Sequence, residues 1–285
     1  MKRLISFAAA ASALALVLSG CANYAQPSAS TSSSTSASTA AITDLSGLKG
    51  KTLAVQTDTT GQKYAEDHKA EFGYNIKVFD DLPGSVNAVL AGTADGAIND
   101  NGVLYDFAKQ NPTTKVVKEF ATGEEYGFNV AKSNTGLLDA INAALVEAKA
   151  DGTYDKIYNK WFGTDGPKEI AASAPPAAGG EPVLVDPTKL TVCTHLAYRP
   201  FQFLDKDNTT IIGFDVDLVD VVAKKLGVTQ KIVDIDFSQI TSGAVFAAKK
   251  CDLGAAATTI TPERQAAAPF SIGYFAATQA LLVKP

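Results

Sequence analysis

Residues 213–235 read GFDVDLVDVVAKKLGVTQKIVDI and decide the class of fold. Apolar side chains recur at helical spacing from Phe214 to Leu226, and Gly227 is a typical residue just beyond a helix C-terminus. The β-rich run that follows at 230–235, and an earlier one at 190–193, are predicted strands. Strand, helix and strand in this order favour a parallel βαβ unit, so the sequence predicts an α/β fold.

The same alternation runs through two blocks of the chain, about 45–163 and 190–285. Between them the segment AASAPPAAGGEPVLVDP, residues 171–187, concentrates Ala, Pro and Gly and predicts a linker. In the first block, Thr52–Gln56 and Gly96–Ile98 are predicted strands. The sequence therefore predicts two blocks of α/β pattern separated by a linker.

Weaker patterns extend this outline. Asp151-Gly152 interrupts a helical pattern and predicts two successive helices in the first block. In the second block, 252–257 is a predicted strand, and the final apolar run at 275–284 is predicted to be extended.

Composition excludes several classes of function. The chain has 285 residues, 46% hydrophobic, with a formal charge of −5, and no Lys/Arg-rich run follows Arg3, which argues against nucleic-acid binding. Two His and three Cys are too few and too scattered for a zinc site. We predict no metal and no other cofactor.

The N-terminus has the pattern of a targeting segment. Lys2 and Arg3 precede an apolar run, Leu4–Leu18, and the tetrapeptide at 18–21, Leu-Ser-Gly-Cys, resembles a bacterial lipobox. That resemblance implies removal of a signal peptide, 1–20, and lipidation of Cys21. The alternative is a transmembrane anchor, which needs about 20 apolar residues.

A low-complexity tract follows this segment. Ten of the twelve residues from 28 to 39 are Ser or Thr, so they have little to bury and predict a flexible tether within 21–43. We expect a domain anchored by lipid at the outer face of the cytoplasmic membrane, on its extracellular or periplasmic side, where disulfides form.

Several motifs in both blocks agree on one family. They are Leu190-Thr-Val-Cys-Thr, Tyr198-Arg-Pro-Phe-Gln-Phe203, Gly213-Phe-Asp-Val-Asp-Leu218, Thr259-Ile-Thr-Pro-Glu-Arg264, Val55-Gln-Thr-Asp-Thr-Thr-Gly61 and the run from Ala150 to Gly163. The chain resembles the extracellular solute-binding proteins of polar amino-acid ABC importers. The resemblance implies a two-lobed, type II periplasmic-binding-protein-like fold, in which each lobe is a mostly parallel sheet flanked by helices and the ligand cleft lies between the lobes.

The order of the two blocks is reversed relative to that family, so the chain resembles a circular permutant. A chimera or a domain-swapped assembly of halves is the alternative. The divisions that the resemblance implies are lobe 2 at 44–125, C-terminal helices of lobe 1 at 126–167, a linker at 168–188, the rest of lobe 1 at 189–275, and a hinge-crossing strand at 276–285.

A bound amino acid presents a carboxylate that needs a partner. Arg264 follows an N-cap and N1-proline pattern, Thr261-Pro262, which places it in the first turn of a helix. The resemblance implies that Arg264 and Thr259 bind the ligand carboxylate, with Thr60 as a second contact from the other lobe. A solvated Arg and a plain helix cap are the alternatives.

The resemblance assigns the remaining parts of the ligand to further residues. Asp100 and the backbone carbonyl of Ala257 are expected to accept from the ligand ammonium, and Tyr198 and Phe237 are expected to enclose its aliphatic part. An aspartate that caps a helix, and aromatic residues of an ordinary core, are the alternatives.

Selectivity is expected to depend on His195, Gln56 and Asn99, which match the family positions at the ligand tip. None offers a carboxylate, which favours glutamine or glutamate over a basic ligand unless Asp236 turns inward. Arg199 is a further candidate contact for an acidic ligand.

The family's parallel sheet implies that Cys193 and Cys251 lie on neighbouring strands, and we predict a disulfide between them. The alternative is a Cys-His nucleophile made from Cys193 and His195.

The predicted function is binding without catalysis, by a monomer that delivers a free polar L-amino acid to an ABC permease. A dehydratase on the same fold is one alternative, and among the tip residues only His195 has the chemistry of a general acid. A sensor that presents its ligand to a receptor is another.

Overall fold

The computed structural model describes residues 41–167 and 174–285. The predicted signal peptide at 1–20, the lipidated Cys21 and the tether as far as residue 40 lie outside the described residues, as does the first part of the predicted linker, 168–173. The described residues alternate strands and helices, which confirms the predicted α/β class.

The strands and helices have the following bounds. The strands are β1 Thr52–Gln56, β2 Asn75–Phe79, β3 Gly96–Asp100, β4 Lys115–Tyr126, β5 Asn129–Val130, β6 Lys189–Thr194, β7 Phe203–Leu204, β8 Ile211–Ile212, β9 Thr229–Asp234, β10 Leu253–Gly254 and β11 Phe275–Val283. The helices are α1 Thr60–Phe72, α2 Leu82–Leu90, α3 Asn101–Gln110, α4 Thr135–Ala150, α5 Thr153–Phe162, α6 Phe214–Lys225, α7 Phe237–Thr241, α8 Ala244–Ala247 and α9 Pro262–Ala267, after a 3₁₀ turn at Leu45–Leu48.

Two sheets organise the molecule, in the strand orders β2-β1-β3-β11-β4 and β5-β10-β6-β9. Each has three parallel strands, β2-β1-β3 and β10-β6-β9. In the first sheet β11 pairs antiparallel with both β3 and β4, and in the second β5 pairs antiparallel with β10. We call residues 45–126 and 275–283, built on the first sheet, the five-stranded half. Residues 127–167 and 189–274, built on the second, are the four-stranded half.

Helix α6 shows why the opening stretch folds as predicted. It begins after Gly213, where a Cβ would lie 1.9 Å from the backbone oxygen of Phe201, so glycine alone fits. Leu218 and Val222 on its apolar face are fully buried. Gly227 has φ +71° just beyond its end, as the sequence predicts.

One predicted strand is much shorter than expected. Residues 252–257 pair as a strand only at Leu253–Gly254, because the chain then turns towards the junction of the two halves. Ala257 has φ +48°, and its N–H donates to Oδ2 of Asp215 at 2.8 Å. That hydrogen bond replaces the one that a longer strand would have made.

The chain crosses between the halves at two adjacent segments, 126–129 and 270–275. They are hydrogen-bonded to each other, with Tyr274 N–H donating to Tyr126 O at 2.8 Å and Ser271 N–H donating to Phe128 O at 2.8 Å. The rings of Phe128 and Tyr274 stack with centroids 4.3 Å apart. The crossing is therefore a packed aromatic junction.

The described part of the predicted linker lies against α4. Asn134 at the start of that helix exchanges two hydrogen bonds with the backbone of Val183, and Asp139 accepts from the N–H of Gly179. Asp252 accepts from the N–H of Val185 at 2.6 Å. These contacts hold the segment against the four-stranded half.

Candidate ligand-binding cleft

A cavity lies where the carboxyl ends of β1, β3 and β6 meet the turn after β10. It encloses about 330 Å³ of empty space, including its mouth. The lining residues are Gln56, Thr59, Thr60, Asp100, His195, Tyr198, Gln202, Phe237, Ala256, Ala257, Thr259 and Arg264. Ligand sites of α/β proteins are commonly found at such strand ends.

The structure brings nearly all of the predicted site residues to this cavity, and Asn99 is the exception. Asn99 lies behind the lining, where it accepts from Tyr198 Oη at 2.6 Å and donates to Gln56 Oε1 at 3.2 Å. It therefore orients two lining side chains and does not itself reach the cavity. Sequence analysis missed Gln202, and also Thr59 and Ala256.

Arg264 lies in the first turn of α9, where the hydroxyl of Thr261 accepts from its backbone N–H. Its guanidinium donates to the backbone oxygens of Thr259 and Asp58, at 2.9 and 2.8 Å, and lies 5.3 Å from the centre of the Phe237 ring. Burial lowers its pKa, although Asp100 and Glu124 oppose this shift. All these contacts are uncharged, so the cation can still bind an anion in the cleft.

Asp100 ends β3 and stands at the N-terminus of α3, yet its side chain does not cap that helix. Its carboxylate instead accepts from the hydroxyls of Tyr126 and Tyr198 and from the amide of Gln279. Burial, together with the nearby carboxylate of Glu124, raises the pKa of Asp100 to about 6. The group is a buried acceptor placed at the cavity wall.

Glu124 is a buried carboxylate that sequence analysis missed. It accepts from the hydroxyls of Thr60 at 2.6 Å and Thr259 at 2.8 Å, and from Nε2 of Gln279 at 2.9 Å. The Thr259 contact joins the four-stranded half to the five-stranded half. The available signal was strand alternation, because Glu124 shares a face with buried Tyr126 two residues on.

Two aromatic side chains form apolar walls of the cavity. Tyr198 and Phe237 are both buried, and the Phe237 ring also lies 6.2 Å, between centroids, from the His195 ring. Burial raises the pKa of Tyr198 well above its ordinary value, so its hydroxyl keeps the proton that Asn99 and Asp100 share. Such walls suit the aliphatic part of a small ligand.

Two residues considered as tip contacts lie elsewhere. Arg199 donates to Asp106 at 3.0 Å and places its guanidinium over Phe203, outside the lining of the cavity. Asp236 accepts from Nε2 of Gln239 at 3.0 Å and does not line the cavity either. Neither supplies charge to the interior of the cleft.

Comparison with known proteins identifies the family. The model of the bacterial extracellular solute-binding proteins, family 3, matches residues 23–164 and 190–285. The chain belongs to this family. The two-lobed type II binding-protein fold predicted from the sequence is therefore the fold of this solute-binding protein.

Individual relatives match only part of this solute-binding protein. A putative arginine-binding protein 2 of an ABC transporter from Escherichia coli K12 is 35% identical over 42% of this chain and 51% of that protein. A glutamine-binding ABC transporter protein, GlnH of Bacillus subtilis 168, is 34% identical over 42% of each chain. The chain thus spans about half the length of the curated relatives it matches.

A solved structure is also similar over part of the chain. An ancestral arginine-binding protein bound to arginine is 41% identical over 42% of this chain and 54% of that chain, with a TM-score of 0.41.

The solute-binding protein carries a disulfide between Cys193 and Cys251, with Cα atoms 5.7 Å apart. It links β6 to the residue two positions before β10, and both cysteines pack in one apolar cluster with Phe237 of α7. Cys193 is therefore not a free nucleophile beside His195.

Within 41–167 and 174–285, no helix combines the length and apolar character that crossing a membrane requires. Over the same ranges, no group of three or more His, Cys, Asp and Glu side chains is arranged to hold a metal ion.

Proposed function

We propose that this solute-binding protein binds a free polar L-amino acid, glutamine or glutamate, between its halves and delivers it to an ABC permease. One observation carries the proposal. A single buried cavity combines the cation of Arg264, from the four-stranded half, with the carboxylate of Asp100, from the five-stranded half. This pair complements the two charges of a free amino acid.

In this proposal Arg264 is the main contact of the ligand carboxylate. The hydroxyls of Thr60 and Thr259 already donate to Glu124. Their contribution to the ligand is therefore secondary to the guanidinium, whose present partners are two uncharged backbone oxygens.

Asp100 is proposed to accept from the ligand ammonium, with the backbone carbonyl of Ala257 as a second acceptor. Tyr198 and Phe237 would enclose the aliphatic part of the side chain, whereas Gln56 and His195 would meet its tip. Ala257 is fixed for this role because its N–H is bound by Asp215.

Ligand contacts from both halves would stabilise a closed form that docks on the permease without chemical change. The printed names of relatives, which include arginine-, glutamine- and cystine-binding proteins, support a polar amino acid and transport.

Calorimetric titration of residues 41–285 with L-glutamine and L-glutamate tests the proposal. We expect one-to-one binding that weakens at least about 100-fold in Arg264→Ala, because truncation leaves a buried charge unpaired. Arg199→Ala is the matched control, since its guanidinium lies outside the cavity lining. Absence of binding to any amino acid by the folded protein would refute the proposal.

We also propose that the order of the two blocks is a circular permutation. The family match breaks between 164 and 190, where the linker lies. Leu45, near the start of the described residues, and Val283, at the end of β11, share one core cluster. A chain that places 190–285 before 42–164 across a short loop should fold and bind the same ligand; loss of folding would favour an assembly of halves.

The family is extracellular by description, and we propose that Cys21 anchors this member to the membrane by lipid. Cys21→Ala should release the protein into the medium and abolish its labelling by a fatty-acid probe. Retention at the membrane after this change would support an uncleaved apolar anchor instead.

A further inference from the structure

The proposed function allows either glutamine or glutamate as the ligand. The hydrogen-bonding groups at the tip of the cleft, formed by Gln56, His195 and Gln202, distinguish a carboxamide side chain from a carboxylate. His195 and Gln202 each have a buried side-chain atom, Nε2 and Oε1 respectively, with no hydrogen-bond partner among the described residues. Both residues line the cavity. A buried polar atom without a partner is costly, so in the wall of a cavity such an atom indicates where a ligand group binds.

Local contacts decide whether each of these atoms donates or accepts. His195 Nδ1 lies 3.0 Å from the backbone oxygen of Ile235, which can only accept, so Nδ1 carries the proton. In the neutral ring Nε2 is then an acceptor. Gln202 Nε2 donates to the backbone oxygen of His195 at 3.2 Å, which leaves Oε1 as the free atom. Gln202 is only 1% exposed, so Oε1 has no access to bulk water.

Gln56 supplies the complementary group. The backbone N–H of Asp100 donates to Oδ1 of Asn99 at 2.8 Å, so Nδ2 of Asn99 faces Gln56 and donates to its Oε1 at 3.2 Å. The carbonyl oxygen of Gln56 is thereby occupied, and its Nε2 is left to donate into the cavity that Gln56 lines. Asn99 thus acts through Gln56 as a positioning residue.

With the imidazole of His195 in its neutral form, the tip therefore offers one donor and two acceptors. A carboxamide matches this set, because its oxygen accepts from Gln56 and its NH₂ donates to His195 and Gln202. A carboxylate has no proton to give to the two acceptors. A guanidinium or ammonium would bring a charge to tip residues that carry no carboxylate, because Asp236 accepts from Gln239 and does not line the cavity.

We infer that the cleft selects an amino acid with a carboxamide side chain, of the glutamine kind, over both glutamate and basic amino acids, with Gln202 and His195 as specificity-determining residues. The inference rests on the proposed function, since it names the ligand class of the same site. A site built to hydrogen-bond a substrate group strongly rejects the analogue that lacks it.

Competition calorimetry at pH 7.5 with L-glutamine, L-glutamate, L-arginine and L-norvaline tests the inference. We expect glutamine to bind at least about 100-fold more tightly than glutamate or arginine. Glutamate or arginine within tenfold of glutamine would overturn the carboxamide assignment while leaving amino-acid binding intact. If the folded protein binds none of the four, the proposed function itself fails.

Two variants then test the residues. His195→Asn retains a donor near Ile235 O but lacks the Nε2 acceptor, and Gln202→Met keeps side-chain length without polar atoms. Each should weaken glutamine binding at least tenfold and leave binding of norvaline, which has no polar tip, within twofold. Gln110→Met, at an exposed position of α3, is the control. Equal losses for glutamine and norvaline would show a structural role only and overturn the assignment.

Discussion

The two halves hold their proposed binding groups in different ways. In the five-stranded half, Asp100 and Glu124 lie on β3 and β4, and Gln279 on β11 lies between them and donates to both. In the four-stranded half, Arg264 and Phe237 lie on helices of six and five residues that follow loops. One half places these groups on the inner strands β3 and β11 and on the neighbouring edge strand β4, whereas the other places them on short helices.

This difference indicates what fixes the positions of the binding side chains in each half. Strands inside a sheet are fixed by hydrogen bonds on both sides and by packing on both faces. Loops and short helices need other restraints, and here the disulfide and the buried Asp215 provide them. A substitution in the sheet of the five-stranded half, or in the disulfide or Asp215 of the four-stranded half, should therefore destabilise mainly the half in which it lies.

Truncating the two buried leucines of β11 should lower the free energy of unfolding more than any other change proposed here. Leu281 and Leu282 are fully buried and pack into different apolar clusters on opposite faces of the sheet. Leu281→Ala combined with Leu282→Ala should lower the free energy of unfolding by roughly 6 kcal/mol, as measured by urea denaturation. Leu204→Ala, which is 42% exposed, is the control and should change little. If the double variant and Leu204→Ala both lost only a small part of the free energy of unfolding, the central role of β11 would be contradicted.

The disulfide is the corresponding restraint of the four-stranded half. Cys193 and Cys251 are 58 residues apart, and in the chain-entropy model a disulfide that closes a loop of this size stabilises the folded protein by about 4 kcal/mol. Cys193→Ala combined with Cys251→Ala should lower the free energy of unfolding by that amount. Reductant should destabilise the parent protein similarly and leave the variant unchanged. A variant as sensitive to reductant as the parent would contradict the assignment.

The sequence predicted elements whose signals are local. The bounds of β1 agree with the predicted Thr52–Gln56, and the break at Asp151-Gly152 separates α4 from α5 as expected. Both depend on short-range periodicity and on glycine. The position of β11 between β3 and β4 depends on pairing between residues 149 to 187 positions apart, for which a single sequence carries no direct signal.

The candidate site was predictable to the extent that its residues matched family motifs. Sequence analysis did not identify Gln202 as a site residue because it lies between two phenylalanines. Only the fold shows that its side chain turns to the cavity. Asn99 was predicted to contact the ligand, but its side chain lies behind the cavity wall, against Gln56 and Tyr198. Residue spacing along a strand does not distinguish a side chain that lines a cavity from one that orients a lining side chain.

Asp215 provides a test of the second restraint through pH. It is fully buried, it accepts from Ala257 N–H and Tyr274 Oη, and burial raises its pKa to about 7. The folded chain therefore keeps this proton up to about pH 7, whereas the unfolded chain loses it near 4. Stability should consequently fall as the pH rises, by about 2 kcal/mol between pH 5 and 7 from this group.

Asp215→Asn keeps an acceptor for both donors but cannot ionise. The part of the pH dependence that Asp215 contributes should disappear in chemical denaturation at pH 5 and 7. A slope with pH that is identical in the variant would show that Asp215 is ionised in the folded protein throughout this range.

The smallest expected effect concerns a contact between the halves. The hydroxyl of Tyr198, from the four-stranded half, lies 2.6 Å from Oδ1 of Asn99 and 2.8 Å from Oδ2 of Asp100 in the five-stranded half, and these two acceptors share its one proton. Tyr198→Phe retains the ring that lines the cavity and removes only this link, so glutamine binding should weaken by about 1 kcal/mol, or roughly fivefold, in calorimetry. Tyr105→Phe removes an exposed hydroxyl that binds Glu119 within one half, and should leave affinity unchanged. Equal affinities in the two variants would mean that the halves are held together by the packed crossing and the ligand, without help from this hydroxyl.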